Sequence, residues 1–544
     1  MLTLNYTLSI FLMIVLPVLL AGLLRRRFQV AWWLFCIGML TFIVSQVVHL
    51  PLNDWLMKAG ILGQPGLDES HPLWWNALLL GLSAGLCEEL ARALGLWILT
   101  LVLCRRQGTN PQWTLGQGLM LGLGHGGIEA MFFGGVMVAA TIGSLLSLQG
   151  VDLSSLVSSP EQLTALQRQM DQFINAPWQA YLPLIERLIA IGLHVTLSVM
   201  VLRAFQKRNF LYLVLAIAYH ALVDFIAVII TASGSVNAWA VEGLLFLAAL
   251  PGYLWLAQVM RQEAPPAPLR TPLRRELALF WAALRKELIQ QWRTRRMLIV
   301  AVVFGLFGLM SPLVAYFMPQ MMLAIPGAEA FADLVPPPTP ADAMVQYVKN
   351  LTQFGFILAL LLGMGAVAGE KERGTASLVL SKPMPRWSFI ASKLVSQLAV
   401  YLLGFALALP GCYLYTVILF GELSFPPFAL LNLALIFWLL PYVAITLLGS
   451  VLGSTTNAAA GIGLVGVVGL LIASSIPQIS GLLPGALVGW AGQLGSQAAG
   501  GIDALGQAAA LATGPALGAL AFSFMFALVC LVTGIAAFEQ QELP

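Results

Sequence analysis

Thirteen stretches of mostly apolar residues, each roughly 20 residues or longer, run through this chain of 544 residues. A helix of about 20 apolar residues spans the hydrocarbon core of a bilayer and satisfies its own backbone hydrogen bonds there. The sequence therefore predicts an all-α polytopic membrane protein with about 13 transmembrane helices. The stretches are Tyr6–Leu24, Val30–Leu50, Trp74–Cys104, Leu115–Leu146, Tyr181–Leu202, Phe210–Ile230, Ala238–Met260, Met297–Met322, Leu351–Ala368, Leu394–Phe420, Phe428–Gly449, Ala458–Ile476 and Pro515–Phe538.

The composition excludes whole classes of protein. Hydrophobic residues make up 59% of the chain and charged residues 9%, and the mean hydropathy is +0.87. A soluble protein carries about 25% charged residues, so this chain cannot cover a globular surface. A soluble enzyme, a nucleic-acid-binding protein and a disordered chain are thereby excluded. The five cysteines lie in apolar stretches without a Cys-x-x-Cys spacing, which predicts neither disulfides nor a zinc site among them.

Basic residues predict the orientation of the helices, because loops rich in Lys and Arg stay on the cytoplasmic side. Arg25–Arg27 follow the first span, and no Lys or Arg precedes it. We therefore expect a retained anchor with the N-terminus outside the membrane. Alternation from that point places most other basic residues inside, including nine from Arg261 to Arg296 and five from Lys371 to Lys393.

The chain divides at a polar stretch, residues 261–296, which separates a bundle of seven helices (1–260) from a bundle of six (297–544). The stretch begins with a stiff proline-rich linker that contains Pro265, Pro266, Pro268 and Pro272. Apolar residues then follow helical spacing with basic residues between them: Leu277, Phe280, Trp281, Leu284 and Leu288. This pattern predicts an amphipathic helix on the inner membrane surface. The alternative is a solvated charged linker.

Ionisable residues lie within the predicted helices of the first half, where each charge costs at least about 2.5–3.5 kcal/mol. In chain order they include Glu88, Glu89, Arg92, His125, Glu129, His194, His220 and Asp224. Three pairs are four residues apart and therefore share a helix face: Glu88 with Arg92, His125 with Glu129, and His220 with Asp224. So many charges at membrane depth indicate a functional site.

Carboxylates and neutral imidazoles that converge from several helices are ligands for zinc or another divalent metal. A metal with one open coordination position would activate water, and a spare glutamate could serve as general base. Two alternatives remain open. The charges could form neutral pairs that hold helices together, or they could relay ions or protons. Four glycines of the fourth span either admit a substrate or pack helices: Gly122, Gly124, Gly126 and Gly127.

The order Glu-Glu-x-x-Arg, Gly-His-Gly-Gly-x-Glu, a single His and His-x-x-x-Asp resembles the YhfC family of intramembrane metalloproteases. That family belongs to the wider group of CAAX prenyl proteases and bacteriocin-processing enzymes, and the resemblance covers residues 1–260. The wider group has one more residue before the arginine than this chain has before Arg92. The resemblance implies these catalytic residues: Glu88, Glu89, Arg92, His125, Glu129 and Asp224. It implies these metal ligands: Glu89, His194 and His220.

A predicted cytoplasmic segment after the ninth span carries Glu-x-Glu-x-Gly-Thr-x-x-Leu-x-x-x-x-Pro-x-x-Arg. A break at Gly374, a short apolar helix and a Pro-x-Pro turn predict either a docking element or a plain polar connector. The pattern resembles the coupling region of ABC-2-type permeases, the membrane subunits of a class of ABC exporters. The resemblance implies ATPase-coupling residues: Glu370, Glu372, Gly374, Thr375, Pro383, Arg386 and Lys393. The chain has no Gly-Lys dipeptide and hence no Walker A loop, so ATP hydrolysis requires a partner.

The two resemblances together predict the permease subunit of an ABC exporter fused to an intramembrane metalloprotease-like domain. They imply a multi-pass protein of the bacterial inner membrane, and thirteen spans that start from an outside N-terminus place the C-terminus in the cytoplasm. The expected partners are membrane lipid, a separate ABC ATPase and a second permease, either identical or different, whereas nucleic acid is not expected. The alternative is that the first half is a catalytically inert scaffold or a lipid-binding module, and that the chain is a permease alone.

Overall fold

The computed structural model is all helical and describes most of the chain. It covers residues 2–63, 71–107, 112–148, 175–234, 236–263, 272–323, 337–500 and 516–542, together with 163, 164, 167, 170 and 171. Within these residues no strand occurs, and twelve helices have the length and hydropathy to cross a bilayer. A further predicted span, Trp74–Cys104, lies within one helix, Leu73–Gln107, which is not among those twelve and carries Glu88, Glu89 and Arg92 near its centre. The prediction of a polytopic all-α membrane protein is confirmed.

The chain forms two compact units. The first contains Met1–Val138 and Thr164–Arg270, and the second contains Ala139–Leu163 and Thr271–Pro544. The long helices of the first unit are α1 (Leu2–Phe28), α2 (Trp32–Lys58), α3 (Leu73–Gln107), α4 (Leu115–Glu129), α6 (Leu182–Lys207), α7 (Leu211–Ser233) and α8 (Ala238–Glu263). A π-helical segment, Ala130–Met137, continues α4 into α5 (Val138–Ser147), and a 3-10 turn, Pro177–Tyr181, precedes α6.

Glycines allow the helices of the first unit to approach one another closely. A Cβ atom at Gly124 of α4 would lie 2.1 Å from the carbonyl oxygen of Phe35 on α2. A Cβ atom at Gly122 would lie 2.6 Å from the Cα atom of Val195 on α6. These glycines therefore pack helices, which was one of the two alternatives for this motif, and they hold α4 between α2 and α6.

The backbones of α3 and α7 approach each other in the same way. A Cβ atom at Gly81 would lie 2.4 Å from the carbonyl oxygen of Ala221, and one at Gly85 would lie 2.8 Å from that of Ile217. Because Glu89 follows Gly85 by one turn and His220 precedes Ala221, this contact brings the acidic motif of α3 beside the histidine of α7.

Apart from Ala139–Leu163, which includes most of α5, the second unit begins with the helix that the amphipathic pattern predicted, α9 (Leu273–Arg293). The other helices of this unit are α10 (Arg296–Leu323), α11 (Pro340–Gly363), α12 (Ala368–Glu372), α13 (Thr375–Leu380), α14 (Arg386–Phe420), α15 (Phe425–Leu452), α16 (Thr456–Ala473), α17 (Pro484–Ala498) and α18 (Leu517–Glu539). The predicted linker prolines Pro265, Pro266 and Pro268 lie outside the described residues.

Helix α11 begins at Pro340, well before the predicted start of its span at Leu351. Thr339 and Asp342 form a capping box, in which the Asp342 carboxylate accepts a hydrogen bond from the Thr339 backbone nitrogen at 2.8 Å. Proline at the first helical position adds a backbone angle that already suits a helix. The apolar run marks the part that can enter the membrane, whereas the cap determines where the helix starts.

Candidate metal centre

Three buried side chains from three helices converge at the centre of the first unit. Glu88 comes from α3, His194 from α6 and His220 from α7, and one potential ligand atom of each lies within 4.8 Å of the others. One carboxylate and two imidazoles form a donor set that suits zinc or another divalent ion, with room for a further ligand. The side chains present therefore fit a metal.

Glu89 is fully buried beside this triad and is only partly hydrogen-bonded. Its Oε1 atom accepts hydrogen bonds from the Arg92 guanidinium and from His220 Nδ1, the latter at 2.9 Å. Its Oε2 atom has no hydrogen-bond partner among the described residues. An orphaned carboxylate oxygen in a buried site is costly, and it is explained if a ligand, a metal or water belongs there.

His125 connects Glu88 to α2. The Thr41 hydroxyl lies 2.7 Å from the Gly38 carbonyl oxygen and 3.0 Å from His125 Nδ1. The other ring nitrogen, Nε2, lies within hydrogen-bond distance of Glu88 Oε2, at 3.0 Å. Gln46 donates to the other oxygen of Glu88 at 3.2 Å. His125 and Gln46 thus orient Glu88.

Glu129 links the triad to the charges of α6. Its Oε2 atom contacts His194 Nε2, and Arg187 donates to its Oε1 atom at 2.7 Å. Arg187 also pairs with the more exposed Glu186. On the other side of the imidazole, Arg92 contacts His194 Nδ1 at 2.5 Å. The ring of His194 is therefore held from both sides by charged residues of α3 and α4.

All eight predicted site residues belong to one connected group. The four-residue spacing joins two of the three pairs, because Arg92 lies 3.5 Å from Glu88 and Asp224 lies 3.6 Å from His220 Nε2. The third pair separates: His125 faces Glu88, whereas Glu129 faces His194. The structure groups Glu88 with the two histidines, and it places Glu89, the ligand implied by the resemblance, against His220 Nδ1.

Sequence reasoning missed two contributors from α2, Thr41 and Gln46. The available signal was weak: both are polar residues within an otherwise apolar span, with Ser45 between them. Polar residues inside a membrane helix usually find a partner within the protein. The partners of Thr41 and Gln46 are 84 and 42 residues away, so no local pattern identifies them.

Residues 369–387, which carry the predicted coupling motif and are called the coupling segment below, are anchored by a group of four charges, three of them buried. Lys393 Nζ lies 3.1 Å from Glu287 Oε1 and 2.9 Å from Glu370 Oε1. The half-exposed Lys286 contacts the same two carboxylates at 2.8 and 3.0 Å. This network, formed by Lys286, Glu287, Glu370 and Lys393, joins α9, α12 and α14. Glu287 is the member that sequence analysis did not single out.

The predicted coupling residues divide into anchored and exposed ones. Arg386 donates to the carbonyl oxygens of Phe538, Glu539 and Gln541 at 2.6–3.0 Å, so it holds the segment against the end of α18. Glu372 is exposed but also anchored, since it accepts hydrogen bonds from the backbone nitrogen and the hydroxyl of Thr456 at 3.1 and 2.8 Å. The other exposed members are Gly374, Thr375 and Pro383, and Leu378 of α13, which lies among them, is 73% exposed. Glu370, Glu372, Lys393 and Arg386 therefore position the segment, while α13 presents Leu378 at its exposed tip.

Two family matches divide the chain between them. Residues 12–245 match the YhfC intramembrane metalloprotease family, and residues 281–543 match the ABC-2 family transporter protein. The chain joins a YhfC-like half to an ABC-2-like half. The gap between the matches, residues 246–280, includes the predicted proline-rich linker and the first part of the amphipathic helix. The candidate metal centre lies in the YhfC-like half, and the segment with the predicted coupling motif lies in the ABC-2-like half.

Two proteins of Bacillus subtilis (strain 168) are similar to this chain, and both are described as uncharacterised. Membrane protein YhfC is 28% identical over 249 residues, which are 45% of this chain and 92% of YhfC. Transmembrane protein YxlG is 27% identical over 213 residues, which are 38% of this chain and 81% of YxlG. Each relative is matched over most of its own length and under half of this chain, which agrees with a fusion of two parts.

Proposed function

We propose that the chain is the permease subunit of an ABC exporter whose YhfC-like half is a metal-dependent intramembrane peptidase. The observation that carries the peptidase is the buried triad Glu88, His194 and His220 beside the orphaned Oε2 atom of Glu89. A metal-dependent hydrolase needs a ligand set with an open position and a nearby base.

Each residue of the centre has a distinct role in this proposal. Glu88, His194 and His220 would hold zinc or another divalent ion, which would supply a Lewis acid that activates water. Glu89 is the general base, and its Oε2 atom takes up the proton that the attacking water loses. Arg92 neutralises the charge of the two glutamates, and the other members orient the ligands: His125 for Glu88, Glu129 for His194 and Asp224 for His220.

Metal content tests the peptidase directly. We expect about one divalent metal per chain in the purified protein and none after His220→Ala, because this change removes one of three ligands. Elemental mass spectrometry of the protein measures both. His49→Ala is the matched control, since His49 contacts Ser83 and Asn53 and lies outside the triad. Metal absent from the wild-type protein, or equal in wild type and His220→Ala, would favour an inert scaffold.

The ABC-2-like half moves an exported substrate across the bacterial inner membrane, with energy from a separate ATPase on the cytoplasmic face. Two facts support this assignment: the family match at residues 281–543 and the exposed tip of the coupling segment. The ATPase binds this tip, and two permease units, either identical or different, enclose the transport path. The anchored charges transmit the movement of the tip to α9 and α14.

The exposed Leu378 provides a test of this docking surface. A leucine at the tip of a polar segment gains free energy only if a partner covers it, so Leu378→Asp is expected to lower ATPase binding at least about tenfold. ATP hydrolysis that copurifies with the tagged chain measures the binding. The control is Leu452→Asp, another exposed leucine, at the end of α15 and outside the segment. If the two variants recovered equal amounts of ATPase, Leu378 would not belong to the surface that binds the ATPase.

A further inference from the structure

A cavity of about 770 Å³ lies in the YhfC-like half, where α6 ends and α7 begins. Its volume is within the range of small-molecule binding sites. Its walls combine basic, polar and apolar side chains, among them Ala93, Thr100, Trp113, Arg203, Arg208 and Phe210. Positive charges predict that this end of the unit faces the cytoplasm. None of the residues proposed for the metal centre lines the cavity.

The charge at the mouth of this cavity is positive. Arg203 pairs with Glu263 at 2.6 Å and also donates to Gln206. Arg208 is exposed and has no carboxylate within ion-pair distance among the described residues, and Lys207 next to it contacts the Tyr212 hydroxyl. Two cations, Arg203 and Arg208, therefore line the cavity, and Glu263 pairs with the first of them only, so the mouth attracts an anion.

The backbone of Arg208 is unusual for this residue type. Arg208 ends α6 in the left-handed conformation, with φ 49° and ψ 41°. Glycine or asparagine is usual at this position, because any larger residue there costs roughly 1–2 kcal/mol. Gln29 and Arg295 also have positive φ, so the conformation alone assigns no role to a side chain. What distinguishes Arg208 is that it forms part of the cavity wall.

The cavity wall also has an apolar part next to the basic mouth. Phe210 is 79% exposed, and Leu213 of α7 and Ala93 of α3 belong to the same wall. On α3 the distance from Thr100 to Ala93 is seven residues, or about 10 Å along the helix axis. A ligand that fills both regions has an anionic head and a hydrocarbon tail.

We propose that this cavity binds an anionic phospholipid of the cytoplasmic leaflet, with the phosphate at Arg203 and Arg208 and an acyl chain along Phe210 and Ala93. Basic pockets between transmembrane helices on this side of a membrane suit anionic headgroups. A zwitterionic lipid fits less well, because its amine would enter a mouth that is already positive. The proposal does not depend on the metal centre or on peptidase activity.

The left-handed backbone of Arg208 allows a substitution that removes its charge without adding backbone strain. Arg208→Gly removes the charge and relieves the left-handed strain, so the fold is expected to keep or gain stability. The full chain is purified with equal amounts of phosphatidylglycerol and phosphatidylethanolamine, and native mass spectrometry counts the bound lipids. We expect wild type to retain phosphatidylglycerol preferentially and Arg208→Gly to retain about fivefold less, the effect of one basic residue on an anionic lipid.

Arg295→Gly is the matched control. Arg295 is also an exposed arginine with positive φ (60°), but it lies between α9 and α10 in the second unit. This variant should retain phosphatidylglycerol as wild type does. Arg208→Asn repeats the test with a second residue that tolerates the left-handed conformation, and the melting temperature confirms that each variant is folded.

Three results would overturn the proposal. The first is equal retention of phosphatidylglycerol by wild type and by folded Arg208→Gly. The second is equal retention of the two lipids by wild type. The third is displacement of the lipid by millimolar inorganic phosphate alone, which would identify a site for the free anion.

Discussion

Replacing Lys393 with methionine is expected to destabilise the ABC-2-like half by about 3–5 kcal/mol, because the change leaves buried carboxylates without their cation. Lys393 is 2% exposed and lies between the carboxylates of Glu287 and Glu370. Lys286 remains after the change but is half-exposed. Burial alone would lower the pKa of Lys286, yet these two carboxylates hold it above its usual value. The half-exposed Lys286 therefore cannot neutralise both buried carboxylates in place of Lys393.

Thermal unfolding of the protein in detergent, monitored by tryptophan fluorescence, measures this loss of stability. Lys382→Met is the control, since Lys382 is an exposed lysine of the same segment. Adding Glu287→Gln and Glu370→Gln to Lys393→Met should recover most of the loss, because the uncompensated charges are then removed. An unchanged melting temperature of Lys393→Met would show that the network contributes little.

Gly124→Ala is expected to destabilise the YhfC-like half by about 1–3 kcal/mol, the usual effect of overpacking. The added Cβ atom would lie 2.1 Å from the backbone oxygen of Phe35, and no side-chain rotation relieves a contact with backbone. Helices α2 and α4 must therefore separate. His125, the next residue on α4, would then lose its 3.0 Å contact with Thr41.

The melting temperature and metal content of the same preparation report both consequences. Gly243→Ala is the control, because a Cβ atom at Gly243 of α8 meets nothing within 4 Å. We expect this control to match wild type in both measurements. If Gly124→Ala also matched wild type, the close approach of α2 and α4 would not be needed for the fold.

The sequence predicted those features that local patterns encode. A run of apolar residues identifies a membrane helix wherever it occurs, so the spans and the division at residues 261–296 could be predicted. Ionisable residues are rare in such runs, so Glu88, His125 and His220 could be predicted as functional residues from the sequence alone. Helical spacing then paired Glu88 with Arg92 correctly, because both belong to one helix.

Contacts between distant residues could not be predicted in this way. His125 and Glu129 share a helix, but each has a nearer partner on another helix, and spacing does not reveal which interaction is stronger. Glu287 looked like an ordinary acid in a basic amphipathic helix, yet it faces Lys393, 106 residues away. These contacts depend on how helices pack, and the glycines that allow close packing had two possible explanations.

The four-charge network beneath the coupling segment also has an electrical consequence. Two lysines and two glutamates, Lys286, Lys393, Glu287 and Glu370, give the network no net charge. Carrying one unpaired charge across the whole membrane field costs about 2.3 kcal/mol per 100 mV. A group that moves as a neutral body does almost no such work. If this network shifts with α14 during transport, that step should proceed at the same rate in energised and de-energised membranes.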